Sequence, residues 1–92
     1  MSYCVYILRC ADASYYVGHT EDVEKRLEEH RRGMLSAYTR KRRPVKLVFA
    51  EEFRERNDAF ERERQIKGWS RAKKEALIKG NWPRLQALAR HL

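Results

Sequence analysis

Tyr3-Cys4-Val5-Tyr6-Ile7-Leu8-Arg9-Cys10-Ala11-Asp12-Ala13-Ser14-Tyr15-Tyr16-Val17-Gly18-His19 reads as two strands folded back on each other. Tyr3 to Arg9 and Tyr15 to His19 are rich in β-branched and aromatic residues, which suit a pleated, half-buried surface. Ala11-Asp12-Ala13-Ser14 between them has the character of a turn, so the stretch predicts a β-hairpin. Gly18, near the end of the second strand, marks a place where chain or ligand comes close to the backbone.

Cys4 and Cys10 share the parity of the first strand. Six residues of extended chain set them about 20 Å apart, well beyond the roughly 7 Å limit between the α-carbons of a disulfide. Free thiols in a reducing compartment are expected. These are the only two cysteines, so a four-ligand zinc site would have to draw on the histidines as well, whose spacing fits no zinc motif.

Outward from the hairpin, Thr20 or Asp22 caps a helix that runs to about Arg32 and is closed by Gly33. Met34 to Pro44 reads as an irregular basic loop. Val45 to Glu51 is the third strand, with Val45, Leu47 and Phe49 expected on one face. A helix follows from Asn57 to Trp69, with Asn57 or Asp58 as its cap and Gly68 as its stop. Ser70 caps another helix that ends at Gly80, and Pro83 suits the first position of a last one. Leu85, Leu88, Ala89 and Leu92 there follow the spacing of a packed face. The order is β-β-α-β-α-α-α: an α+β fold with a small three-stranded sheet flanked by helices. A chain of 92 residues has room for one domain. Its core is expected over about 3–80, with a C-terminal helix over about 83–91.

Lys and Arg number 21 against 13 Asp and Glu, a net charge of +8, which favours a polyanionic partner, most commonly a nucleic-acid backbone. A hydrophobic share of 42% is that of a globular chain rather than a disordered one. No apolar run approaches the roughly 18 residues of a membrane span, and the N-terminus has no signal-peptide pattern. A cytoplasmic protein is expected, with no membrane association.

One carboxylate stands out against this basic background. On the helix from Asn57 to Trp69, at about 100° per residue, Ala59, Phe60 and Ile66 define an apolar arc, and Glu63 falls inside it. A charge on an apolar face is costly unless something pairs with it. Either a basic side chain neutralises Glu63, or it holds a cation. On the first helix Val23 and Leu27 form the core stripe. Arg26 and His30 lie one turn apart on its flank, where both can reach one point.

Cys4-Val5-Tyr6 and Tyr16-Val17-Gly18 now join these later features in order. Arg26 lies eight residues after Gly18, His30 follows one turn on, and Glu63 comes four residues after Ala59. Together with Tyr38-Thr39-Arg40-Lys41-Arg42-Arg43-Pro44-Val45-Lys46-Leu47-Val48 and Gln65-Ile66-Lys67-Gly68-Trp69, the set resembles the GIY-YIG nuclease superfamily. The likeness is to its small stand-alone bacterial members and covers residues 3 to about 80.

The resemblance implies a divalent-metal-dependent DNA endonuclease of low sequence specificity, working on nicked, branched or distorted DNA in repair or recombination. It makes Glu63 the one protein ligand of a single Mg²⁺ or Mn²⁺ ion and aims Arg26 at the scissile phosphate. Tyr16 becomes the general base or water-positioning group, with Tyr6 supporting it by hydrogen bonding. His30 either shares the proton transfer or orients a phosphate. Gly18 is the structural glycine of the motif. His19, Thr39, Arg40, Lys41, Arg42, Arg43, Lys46 and Lys67 are the expected contacts to duplex or branched DNA. Phosphate contacts position a duplex without reading it, so sequence specificity would be low or borrowed from a protein partner. The alternative is a non-catalytic nucleic-acid-binding module on the same fold.

Overall fold

The computed structural model describes residues 2–89. Strands β1 (Tyr3–Arg9), β2 (Tyr15–Thr20) and β3 (Lys46–Phe53) form one antiparallel sheet in the order β2-β1-β3. The central strand β1 is covered on both faces, which is why its sequence is an unbroken apolar run. Val5, Ile7 and Val17 point to one side, where they pack with Ala59, Ile66 and Leu77. Tyr6, Leu8 and Cys10 point to the other, against Val45, Val23 and Leu27. Cys4 and Cys10 are both buried free thiols, and burial pushes both above the ordinary thiol range.

The hairpin turn closes with Cys10 N–H donating to Ser14 O at 2.9 Å and Ala13 at φ 68°. From the far side of the fold, Arg71 Nη1 donates to Ala13 O at 2.6 Å. Helix α1 (Val23–Arg31) is capped by Asp22, which accepts from Lys25 N–H at 3.1 Å. Thr20 serves the same corner by accepting from Asp22 N–H at 3.2 Å. Gly33 closes the helix end at φ 73°, a conformation that costs glycine little.

The expected irregular loop contains a short helix, α2 (Ala37–Arg40), capped by Ser36. The third strand also departs from expectation. Ile7 is opposite Phe49 but Leu8 is opposite Leu47, so β3 bulges at Val48. A bulge exchanges the faces of the residues on either side of it. Val45 and Leu47 therefore join the α1 side, whereas Phe49 packs with Val5 and Ile7 on the other.

Helix α3 (Arg56–Lys67) begins earlier than expected. Glu55 holds the cap position without a side-chain cap bond, so neither Asn57 nor Asp58 caps it. Ala59, Glu63 and Ile66 are buried as the arc predicts, but Phe60 is 45% exposed. Its ring meets His19 edge-on at 5.8 Å between centroids. Helix α4 (Arg71–Lys79) is capped by Ser70, with Gly80 in the left-handed region at φ 68°. Helix α5 (Trp82–Ala89) starts one residue before Pro83. Asn81 Oδ1 accepts from Arg84 N–H at 3.2 Å there. Leu85 packs onto the core, and the expected contact of Leu92 lies outside the described residues.

Candidate active site

The site gathers around edge strand β2, which α1 approaches from one face of the sheet and α3 from the other. Tyr6 stands opposite Gly18, and its ring crosses over that glycine. A Cβ built on Gly18 would lie 2.5 Å from Tyr6 Oη and 2.6 Å from Cζ. Glycine is thus required so that a side chain from the central strand can carry its hydroxyl to the outer strand.

There Tyr6 Oη lies 2.9 Å from His30 Nε2, and His30 Nδ1 lies 2.9 Å from Thr39 Oγ1. Thr39 donates its own hydroxyl proton to Ser36 O at 3.3 Å, so it accepts from His30. The network then assigns the proton of a neutral His30 to Nδ1, and Nε2 accepts from Tyr6. Burial, then the Arg26 charge, lowers the His30 pKa against the opposing pull of Glu29. Burial also drives the Tyr6 pKa far upward, with Tyr16, Glu63 and Glu29 adding to it and Arg26 opposing. Tyr6 therefore stays a phenol and a donor.

Tyr16 differs. It is half-buried, and its hydroxyl makes no hydrogen bond among the described residues. Its ring lies 6.4 Å from that of Tyr6 and 5.0 Å from that of His30. The expected hydrogen bond between the two tyrosines is replaced by the Tyr6–His30 bond.

From the α3 side, Glu63 is 7% exposed. Its Oε1 lies 2.9 Å from His19 Nδ1 and its Oε2 lies 3.3 Å from Lys67 Nζ. Both pairing groups are more exposed than the carboxylate, at 27% for His19 and 54% for Lys67 against 10% for the Glu63 side chain. The apolar-face argument thus meets its paired form here, with Lys67 one helical turn away and His19 across from β2. Arg26 does not pair with Glu63. Its Nε is 3.7 Å from Glu29 Oε1, beyond hydrogen-bonding distance, and that buried nitrogen has no hydrogen-bond partner. Arg26 and His19 line a cleft of about 380 Å³ with Lys25 and Arg56.

Two expected roles need correction. Thr39 is 0% exposed, with its hydroxyl used by His30 and Ser36, so it cannot touch a phosphate. His30, at 1% exposure, does not reach a phosphate either, and its ring nitrogens face Tyr6 and Thr39. Arg42 and Arg43 spend part of their guanidinium groups inside the fold and keep further donors. Arg42 donates to Asp12 Oδ2 and Tyr38 O, each at 3.0 Å. Arg43 donates to Arg40 O at 3.1 Å and Arg31 O at 3.4 Å, closing the ends of α2 and α1. Arg40, Lys41 and Lys46 are exposed and make no side-chain hydrogen bond or ion pair among the described residues.

Residues 2–76 match the family model of the GIY-YIG catalytic domain. The chain belongs to the GIY-YIG nuclease family. Among GIY-YIG relatives, a UPF0213 protein of Staphylococcus aureus (strain Mu3) is 46% identical over 78 residues, 85% of this chain and 95% of its own. The solution NMR structure of UPF0213 protein BH0048 from Bacillus halodurans is similar at 42% identity and a TM-score of 0.57, covering 86% of this chain and 84% of that one. That of EF2693 from E. faecalis is similar at 40% identity and a TM-score of 0.62, covering 87% and 85%.

GIY-YIG nucleases typically use a divalent metal. Among the described residues no group of three or more His, Cys, Asp and Glu side chains is arranged to hold an ion. A single buried carboxylate fits instead a hard cation that keeps most of its water, as Mg²⁺ does. No described helix is long and apolar enough to cross a membrane. Lys25 and Arg56 beside Arg26, and Tyr38 and Lys74 beside Tyr16, escaped the sequence reading. An aromatic next to a basic run was the available signal for Tyr38; Lys25, Arg56 and Lys74 carried none.

Proposed function

We propose that the protein is a divalent-metal-dependent DNA endonuclease that hydrolyses phosphodiester bonds with low sequence specificity, acting on nicked, branched or distorted duplexes. The observation that carries this reading is Glu63, a nearly buried carboxylate at the sheet edge whose two partners are both more exposed than itself. Lys67, on a long flexible stem, is a group that an incoming cation can displace. Glu63 would hold Mg²⁺ or Mn²⁺, which supplies charge stabilisation to the phosphoryl and leaving oxygens when bound.

The other roles belong to side chains. Arg26 offers the phosphate a planar, partly exposed guanidinium whose buried Nε has no hydrogen-bond partner. Tyr16, with its hydroxyl uncommitted, is the general base or water-positioning group. Tyr6 fills neither role, because its proton is held by burial and donated to His30. His30 and Thr39 fix the orientation of Tyr6, and Gly18 makes its position possible. Arg40, Lys41 and Lys46 hold the backbone.

Occupation of both Glu63 oxygens by His19 and Lys67 favours a second reading, a nucleic-acid-binding module whose carboxylate serves only as an ion-pair partner. A supercoiled-plasmid nicking assay with Mg²⁺ or Mn²⁺ separates the two. Wild type is expected to nick, and Glu63→Gln to lose at least about a hundredfold in rate while keeping DNA affinity within a few-fold. Binding without cutting by wild type, on nicked, branched and intact duplexes alike, would establish the second reading.

A further inference from the structure

Tyr15, Tyr16, Val17 and Tyr38 line a small, mostly apolar cleft of about 250 Å³ together with Lys67 and Lys74. We propose that this cleft takes one unpaired nucleobase of the substrate, stacked on Tyr38, with the flanking phosphates on Lys67 and Lys74. That cleavage falls beside this base rests on the reading of Glu63 as the cleavage centre.

Tyr38 is 38% exposed although it sits in a structured segment. It is also held in place: the Arg42 guanidinium lies 3.8 Å from its centroid, and Arg42 is anchored by Asp12 and by Tyr38 O. A ring fixed in this way loses little freedom when a flat ligand stacks on it. An aromatic wall accompanied by two ammonium groups suits a flat, apolar body that carries negative charge, which describes a nucleotide.

Continuity with the centre gives the cleft its orientation. Lys67, part of its lining, has Nζ 3.3 Å from Glu63 Oε2, and Tyr16 lines the cleft as well. A base held there brings its own phosphodiester beside the carboxylate. The volume falls below the roughly 300 Å³ lower bound of drug-sized pockets, so it suits one base rather than a stack. A paired base keeps both faces in the duplex, and extruding it is least costly where it is mismatched or already unpaired. Cutting beside an unpaired nucleotide follows from this pocket without any base-reading module.

The test uses Glu63→Gln protein and a duplex with a single bulged 2-aminopurine, compared with the same probe fully paired. The bulged probe is expected to lose fluorescence on binding and to bind about tenfold more tightly than the paired one. Tyr38→Ala should abolish both differences, Tyr38→Phe should keep them, and Lys74→Glu should weaken the bulged complex more than the paired one. Circular dichroism checks that each variant folds. Equal affinities for the two probes, or a fluorescence loss that survives Tyr38→Ala, would overturn the pocket. Failure of wild type to cut would sink the nuclease reading but leave the pocket standing on this binding result.

Discussion

Tyr6 and Tyr16 stand on the same face of neighbouring strands, yet the structure gives them opposite chemistry. Tyr6 is sealed at 2% exposure and spends its hydroxyl on His30; Tyr16 keeps its hydroxyl uncommitted. Gly18 permits the first arrangement, so Gly18→Ala should force the Tyr6 ring to shift. Overpacking of this kind costs about 1–3 kcal/mol, measurable by urea unfolding, and cleavage should fall even where the variant is still folded. His30 adds a pH dependence with a definite sign. Its folded pKa lies below the ordinary 6.5, so the unfolded chain takes up the proton first as pH falls. The stability that comes from keeping His30 neutral is complete above about 6.5 and declines as pH drops from there towards the folded value. His30→Gln should flatten that part of the stability curve, and matched slopes for variant and wild type would show that His30 contributes nothing. Helical spacing placed His30 on the flank of the core stripe, and the family resemblance put it in the site without pairing it with Tyr6. Its partner Thr39 was illegible, because nothing local marks a loop threonine as buried beneath a helix nine residues earlier.

Elements were legible wherever a pattern ran for a full turn or more. The hairpin, α1, α4 and the burial of Ala59, Glu63 and Ile66 all followed from strand formers, caps and the helical period. The two failures in the middle of the chain were of another kind. At four residues, α2 is too short to stand on propensity, since a helix that length cannot offset its own nucleation. It is held instead by tertiary bonds from Thr39 to His30, from Arg43 to the ends of α1 and α2, and from Arg42 to Asp12. The bulge at Val48 is fixed by pairing with β1, and alternation along β3 alone cannot reveal it. Docking of α2 through one buried hydroxyl makes a sharp prediction. Thr39→Val keeps the shape of the side chain but strands the His30 Nδ1–H, at a cost of about 1–3 kcal/mol. Thermal unfolding should report that loss, and an unchanged midpoint would mean that α2 is held by its arginines alone.

On the scale of the whole molecule, a net charge of +8 states an affinity for polyanions without saying which cations deliver it. The fold makes that division. Arg42 and Arg43, the second half of the basic run, are structural members that tie α1, α2 and the hairpin together. Around that run, Arg40, Lys41 and Lys46 remain exposed and free of such bonds among the described residues, so they are its cations freest for counterion release. Each phosphate that a protein cation neutralises adds about 0.9 to the slope of log affinity against log salt. Replacing Arg40, Lys41 and Lys46 with alanine should therefore reduce that slope by about 0.9 for each phosphate left without its cation. The unfolding midpoint should barely move, since surface substitutions of this type stay within about 0.5 kcal/mol. Arg42→Ala with Arg43→Ala should show the reverse pattern, a lowered midpoint with a nearly unchanged slope. Fluorescence anisotropy of a labelled duplex across a salt series, run beside thermal unfolding, reads both quantities on the same samples. If the arginine pair changed the salt slope as much as the other three residues do, the donors that Arg42 and Arg43 do not spend on Asp12, Tyr38, Arg40 and Arg31 would be reaching phosphates as well, and the partition of the basic run into scaffold and contact surface would fail.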